Sequence, residues 1–414
     1  MSATVPTNPT FRQTIATLLL FLAFTANLSA GTLPPAKVTL GDEVFLSSAW
    51  HDLHGRCVGV ITNQTGVTSQ LVNIVDAIRA NPHICIRAIY APEHGLRGDR
   101  PAGAYVGSYI DKRTGLPVYS LYGPQRHPTA AMLHGVDVLL FDIQDVGARS
   151  YTYISTMAYA MQAAAQFHKV IWILDRPNPI GGNMVEGPVL DPRFKSFIGL
   201  YPIAMRHGMT IGELARMFND AFGIHANLRV IAMRGWQRSM VWPDTGLQWV
   251  QSSPNIPEWS TTVVYICTGL IDNAGINGGI GTAKPFKYAG AYQLDPYALA
   301  NHLNARNVPG VFFRPAYWSP FSGFWNGKDL SGVELVVYDP HVFPGVRAAV
   351  EIMTAVRDVA PSALHIDATA LDTDWGTDSV RTGLQSGESA DAIVARWEPT
   401  LAHFTAIRAK YLLY

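Results

Sequence analysis

At 414 residues, with 48% hydrophobic and 15% charged residues, the chain is too long for one average core and too apolar to be disordered, so two domains are expected. Its 31 basic and 31 acidic residues cancel to a formal net charge of +0, and no long-range field draws it to nucleic acid or to an anionic membrane.

Arg12 precedes an apolar run over residues 14–26, and Leu28-Ser29-Ala30 then offers the small residues that signal peptidase cleaves after. Residues 1–30 therefore read as a cleavable secretory leader. The run is short for a membrane span and no Cys follows it to carry a lipid, so a periplasmic or extracellular protein without stable membrane association is expected. The rest divides at a Trp-, Pro- and Ser-rich stretch into a first domain, 37–250, and a second, 251–414.

In the first domain apolar runs alternate with helical patterns. Residues 57–61 form a strand ending before Asn63, and Leu71, Ile74, Val75 and Ile78 then recur at helical spacing. Residues 84–90 form a second strand, which delivers Glu93 and His94 into a long Gly-rich loop carrying Arg97. Residues 136–141 are a third, running into Asp142, Asp145, Arg149 and Tyr151, and an alanine-rich helix follows over 152–168. Residues 170–174 are a fourth, ending at Asp175, Arg176 and Asn178. A Gly/Pro-rich excursion with Glu186 and His207 leads to a helix over 210–222, capped by Thr210 with Glu213 three residues on. Residues 228–232 are a fifth strand. Strands without polar alternation, joined by helical crossovers, predict an α/β fold with a parallel sheet covered on both faces.

The second domain reads as α+β, with strands over 262–268 and 332–338, helices over 296–305, 346–359 and 390–411, and a glycine loop over 275–285. Cys57, Cys85 and Cys267 each lie in an apolar run, and their odd count suits packed small hydrophobes better than a disulfide framework; a Cys57–Cys85 bridge between neighbouring strands stays open. Without a Cys-x-x-C pair, thiolate zinc is not expected.

No G-x-S-x-G elbow, Walker A loop, H-E-x-x-H or G-x-G-x-x-G after the first strand is present, so the common serine hydrolases, P-loop NTPases and dinucleotide oxidoreductases lose ground. What remains is convergence: Asn63, Glu93, His94, Asp142, Asp145 and Asp175 all fall at carboxyl ends of predicted parallel strands, where α/β sheets bind ligands. Several carboxyls at one rim repel one another, and partial burial keeps one protonated while another ionises, the pairing that glycosidic cleavage needs. The alternative is structural: Asp142 and Asp175 capping helices or binding Arg149 and Arg176. A metal held by His94, His207 and the aspartates has no supporting spacing. Among the aromatic residues, the loop from Tyr317-Trp318 to Phe324-Trp325 offers flat apolar faces of the kind a sugar ring needs.

Several stretches together resemble the NamZ-type exo-β-N-acetylmuramidases: Thr62-Asn63-Gln64-Thr65-Gly66, Pro92-Glu93-His94-Gly95, Phe141-Asp142-Ile143-Gln144-Asp145-Val146-Gly147, Leu174-Asp175-Arg176-Pro177-Asn178-Pro179, Arg206-His207-Gly208 and Ser253-Pro254-Asn255. The resemblance implies a Rossmann-like first domain, a smaller second domain and a cleft between them. It implies a secreted enzyme that frees terminal N-acetylmuramic acid from peptidoglycan-derived saccharides or muropeptides with no metal or other cofactor. Glu93 takes the position of the catalytic glutamate, His94 orients or polarises it, and Asp142, Asp145, Arg149, Asp175, Arg176, Asn178, Glu186 and His207 line the cleft; a carboxylate among Asp142, Asp145 and Asp175 is expected to stabilise the oxocarbenium-like transition state or activate water. One loop departs from the family: where it carries Glu-Gly-Arg-Gly-Thr, this chain has Gly278-Gly279-Ile280-Gly281-Thr282. A silent carbohydrate-binding protein, or a glycosidase for another sugar, is the alternative that this loss raises.

Overall fold

The computed structural model describes residues 33–34 and 36–414; the expected leader lies outside the described residues. Helix α1 (Gly41–Ser47) precedes β1 (Val58–Thr62), α2 (Ile74–Arg79), β2 (Ile86–Ala91), the short β3 (Tyr109–Ile110), β4 (Pro117–Ser120) and β5 (Val138–Asp142). Then come α3 (Tyr153–Gln166), β6 (Val170–Leu174), the hairpin strands β7 (Glu186–Val189) and β8 (Ala204–Arg206), α4 (Ile211–Asp220) and β9 (Asn227–Ile231). A seven-stranded sheet runs β3-β4-β2-β1-β5-β6-β9, parallel except where β3 meets β4.

The strands are apolar throughout because both faces are buried. Along β5, Leu139 and Phe141 enter the core under α3 and α4, while Val138 and Leu140 enter the core under α1 and α2. The fold is thus the doubly covered α/β sheet that the alternation predicts. Because β2, β1, β5 and β6 are adjacent, their carboxyl ends set Glu93, Asn63, Asp142 and Asp175 side by side along one edge.

The second half is smaller and mixed: α5 (Trp259–Thr268), β10 (Tyr288–Tyr292), α6 (Pro296–Ala305), β11 (Val311–Trp318), β12 (Leu330–Val337), α7 (Gly345–Val359), α8 (Ala368–Trp375), α9 (Ser379–Gln385), α10 (Ala390–Ala395) and α11 (Glu398–Arg408). Its sheet is three-stranded and antiparallel, in the order β10-β12-β11. Two expectations are corrected here. Residues 262–268 are helical, since the β-branched run Val263-Val264 lies in α5, which packs into the shared core through Ile266 and Cys267. The single helix expected over 390–411 is broken into α10 and α11, the second starting afresh with Pro399 in its first turn. Residues Pro34–Tyr414 pack as one compact unit, with a core continuous from Phe141 and Ile173 to Ile266 and Val350. Among the described residues no helix is long and apolar enough to cross a membrane.

Cys57 and Cys85 are disulfide-bonded, joining the entries to neighbouring strands β1 and β2, while Cys267 is free and buried. The packed-hydrophobe expectation fails for the first pair because parallel pairing brings their backbones to a Cα–Cα separation of 4.5 Å. The bridge closes 28 residues of chain, so reduction or a Cys57→Ser/Cys85→Ser variant is expected to cost roughly 2–4 kcal/mol. A urea titration with and without reductant reads this as a lower midpoint; coincident curves would rule it out.

Candidate active site

Glu93 lies two residues past β2 and is 8% exposed. Its Oε1 accepts from the Gly103 amide at 3.0 Å and its Oε2 from the Thr152 hydroxyl at 2.7 Å. The Tyr122 hydroxyl also bonds to it, and burial, followed by the Glu93 charge, pushes that phenol up to about 12. No cation pairs with Glu93 among the described residues. Hydroxyls both donate and accept, so Thr152 and Tyr122 can serve this carboxyl with or without its proton.

His94 adopts φ 69°, in the left-handed region that a non-glycine residue enters at a cost. Its Nδ1 lies 2.8 Å from the Arg100 carbonyl, which can only accept, so Nδ1 carries a proton and donates it there. The same loop holds Arg97, half-exposed and paired with Asp111 at 2.9 Å.

Asp145 also lacks a salt bridge to a lysine or arginine. Its Oδ2 accepts from the Gly147 amide at 2.8 Å, Oδ1 has no partner, and burial pushes its pKa up to about 7. His207 Nε2 lies 3.9 Å from Oδ2. The Met209 amide donates to His207 Nδ1 at 3.1 Å, which leaves the ring proton on Nε2, and burial pulls the imidazole down to about 3, so His207 is neutral. Asn63 holds Thr65 through its Oδ1, and Asn178 holds the Met209 carbonyl and the Ile180 amide, shaping the loops around Asp145.

The remaining predicted residues lie beneath or behind this edge. Asp142, with no exposed surface, accepts from Arg176 Nε at 2.6 Å and Nη2 at 2.9 Å, and Arg176 also binds Asp42 at 2.9 Å. Asp175, equally buried, accepts from the Thr210 hydroxyl, the Gly212 amide at the start of α4 and the Tyr414 hydroxyl, at 2.8, 2.7 and 2.7 Å. A Cβ at Gly212 would come within 2.7 Å of the Asp175 carboxyl carbon, so this approach needs glycine. Of these two aspartates, one is thus bound to Arg176 and the other caps α4. Arg149 is a buried pillar whose guanidinium donates to the carbonyls of Pro188, Ile203 and Asp374, and burial pulls it down to about 9. Glu186 pairs with Arg206 across β7 and β8 at 2.8 Å.

Tyr151 meets Ser252 Oγ at 2.9 Å, and its ring packs edge-on to Tyr153 and Tyr265 at 4.9 and 5.7 Å. Burial, then the charges of Asp374, Glu93 and Asp145, push Tyr265 up to about 12, against its hydrogen bond to the Ser150 hydroxyl at 3.4 Å. Gly103, Tyr122, Thr152, Ser252 and Tyr265 had no place in the sequence-based site. Only Thr152, beside Tyr151 at the start of the helix after β5, carried a signal by its position. Among the described residues no three His, Cys, Asp or Glu side chains converge to hold a metal ion.

The family models for the N-terminal and C-terminal parts of exo-β-N-acetylmuramidase NamZ match residues 58–260 and 263–414. The chain is 43% identical to the peptidoglycan β-N-acetylmuramidase NamZ of Bacillus subtilis (strain 168) over 413 residues, 97% of this chain and 100% of that protein. Two crystal structures of DUF1343 family proteins from Bacteroides fragilis NCTC 9343 share the fold. One has a TM-score of 0.86 at 37% identity, covering 92% of this chain and 100% of its own. The other has a TM-score of 0.73 at 29% identity, covering 91% and 99%.

Proposed function

The chain belongs to the NamZ exo-β-N-acetylmuramidase family, and from that premise we propose that it is a secreted glycosidase releasing terminal N-acetylmuramic acid from peptidoglycan fragments, with Glu93 as its proton donor and acceptor. The observation that carries this is the setting of Glu93: Asp142 and Glu186 are bound to arginines and Asp175, with no exposed surface, caps α4, whereas Glu93 is 8% exposed with no cation paired to it among the described residues. A carboxyl in that setting can give a proton to the departing glycosidic oxygen and take one back from water. Asp145, once ionised, is the second carboxyl, and it stabilises the positive charge that develops on the sugar or activates water. The Cys57–Cys85 bridge supports an oxidising compartment, in keeping with the leader read from the sequence.

The test is incubation with digested peptidoglycan and a panel of glycosides, followed by mass spectrometry of the released monosaccharide. Muramic acid release supports the proposal. Release of a different sugar, or binding without release, overturns it.

The raised pKa of Asp145 gives rate and stability opposite pH dependences. Its folded value of about 7 lies above the ordinary 3.8, so the stability it contributes is full below about pH 4 and is lost as pH rises through about 7. The ionised form needed for turnover appears over the upper part of that window. Between pH 5 and pH 8 the parent should therefore lose more urea resistance than Asp145→Asn does, while its rate rises through about pH 7. Parallel stability profiles for the two proteins would contradict this.

A further inference from the structure

Thr152 precedes Tyr153 at the start of α3, where a threonine side chain ordinarily accepts a bond from a first-turn amide, yet its hydroxyl caps nothing. Its backbone is already helical, at φ −70° and ψ −12°, and the hydroxyl donates at 2.7 Å to Oε2 of Glu93 instead. Thr210, at the start of α4, shows the ordinary arrangement on the same sheet edge. Its backbone is extended, at ψ 168°, and its hydroxyl accepts from the Glu213 amide at 3.3 Å while donating to Asp175 at 2.8 Å. The Thr210 hydroxyl is thus engaged as acceptor and donor, whereas that of Thr152 has Glu93 as its one hydrogen-bond partner among the described residues.

The start of α3 is fixed on both sides of Thr152. The hydroxyl of Tyr151 donates to Ser252 Oγ at 2.9 Å and that of Tyr153 to the Ser252 carbonyl at 2.5 Å, and both tyrosines are buried. Thr152 itself is half-buried. Its backbone is held while its hydroxyl proton remains free to turn.

The two oxygens of Glu93 are served unequally. Oε1 accepts from the Gly103 amide at 3.0 Å, and an amide donates whatever the charge on the carboxyl. In a carboxylic acid the carbonyl oxygen is the better acceptor, so protonated Glu93 keeps its carbonyl at Oε1 and its proton on Oε2, beside Thr152. When that proton leaves, Oε2 becomes a carboxylate oxygen and the Thr152 hydroxyl donates to it. A hydrogen bond to a charged oxygen is roughly twice as strong as one between neutral groups, so this bond tightens as the proton departs.

We propose that Thr152 is a positioning residue for Glu93: its hydroxyl aims Oε2 and steadies the carboxylate that forms there as the proton passes to the departing sugar oxygen. The inference rests on the glycosidase reading. Thr152→Val and Thr152→Ser test it, through kcat/KM on the methyl and the 4-nitrophenyl β-glycosides of N-acetylmuramic acid. Methoxide needs the proton in order to leave, whereas nitrophenolate leaves with little help. Valine keeps the shape of the side chain and removes no helix cap, so the variant should melt like the parent. Thr152→Val should lose about 10–100-fold on the methyl glycoside, the worth of one hydrogen bond to a charged group, and much less on the nitrophenyl glycoside. Thr152→Ser, which keeps the hydroxyl, should recover most of that loss. Should Thr152→Val not fold, Thr152→Ala is read in the same way. Equal losses on the two glycosides, parent-like cleavage of the methyl glycoside by Thr152→Val, or a serine variant as poor as the valine one overturns the assignment and leaves the glycosidase reading standing. A parent that cleaves neither glycoside overturns both.

Discussion

Glu93→Gln is expected to fold like its parent and to lose about 10²–10⁴-fold in kcat, the contribution of a positioned general acid and base. The amide is nearly isosteric, and its oxygen still accepts from the Gly103 amide. Its nitrogen then faces the Thr152 hydroxyl, which can turn to accept. Nothing in the packing is lost; only the exchangeable proton is. Release of muramic acid and a thermal melt, measured on one preparation, separate the two effects. Turnover within tenfold of the parent, on protein of unchanged melting temperature, would remove Glu93 from the chemistry.

Arg176→Ala should do the opposite, damaging the fold first and the rate only through it. One guanidinium lies between Asp42 and Asp142, and all three side chains are shut from solvent. Burial already pushes Asp42 well above the ordinary carboxylate range and Asp142 in the same direction, against the pull of Arg176. Removing the cation leaves two buried carboxyls uncompensated, at a cost of roughly 3–5 kcal/mol. Both can escape the charge by taking protons. A raised folded pKa gives stability that is present in acid and lost as pH rises, so the deficit against the parent should be smaller at pH 5 than at pH 8. Denaturant midpoints at the two pH values decide it; a deficit independent of pH would mean that the carboxyls do not respond as a charged pair. Kinetics of the residual folded fraction should match the parent.

The two variants also mark where sequence reasoning reached and where it stopped. Strand ends were legible because a doubly covered parallel sheet leaves unbroken apolar runs, and the residues that follow such runs fall on one edge. Glu93, Asp142 and Asp175 look alike in the sequence, each a carboxyl just past or at the end of an apolar run. What separates them is three-dimensional: Asp142 meets an arginine 34 residues on, and Asp175 meets the start of α4 37 residues on. The structural alternative weighed for those two is the one the fold adopts. The misplaced strand over 262–268 has a related cause, for when a helix is buried nearly all round its sequence loses the 3.6-residue signature and β-branched composition misleads. Two of the partners of Glu93, Gly103 and Tyr122, were invisible because they come from separate loops and their residue types are common on any surface.

The bond between Asp175 and Tyr414 spans 239 residues of chain. Around it, Arg408 donates to the carbonyls of Gly182 and Gly208, and Arg216 to that of Tyr411. In order of synthesis, then, β6 leaves the ribosome long before the residues that complete its surroundings. A nascent chain holding everything through residue 260 has every candidate carboxyl but lacks both Tyr265 and Tyr414. The enclosure of the sheet edge is thus completed only by residues from the last part of the chain.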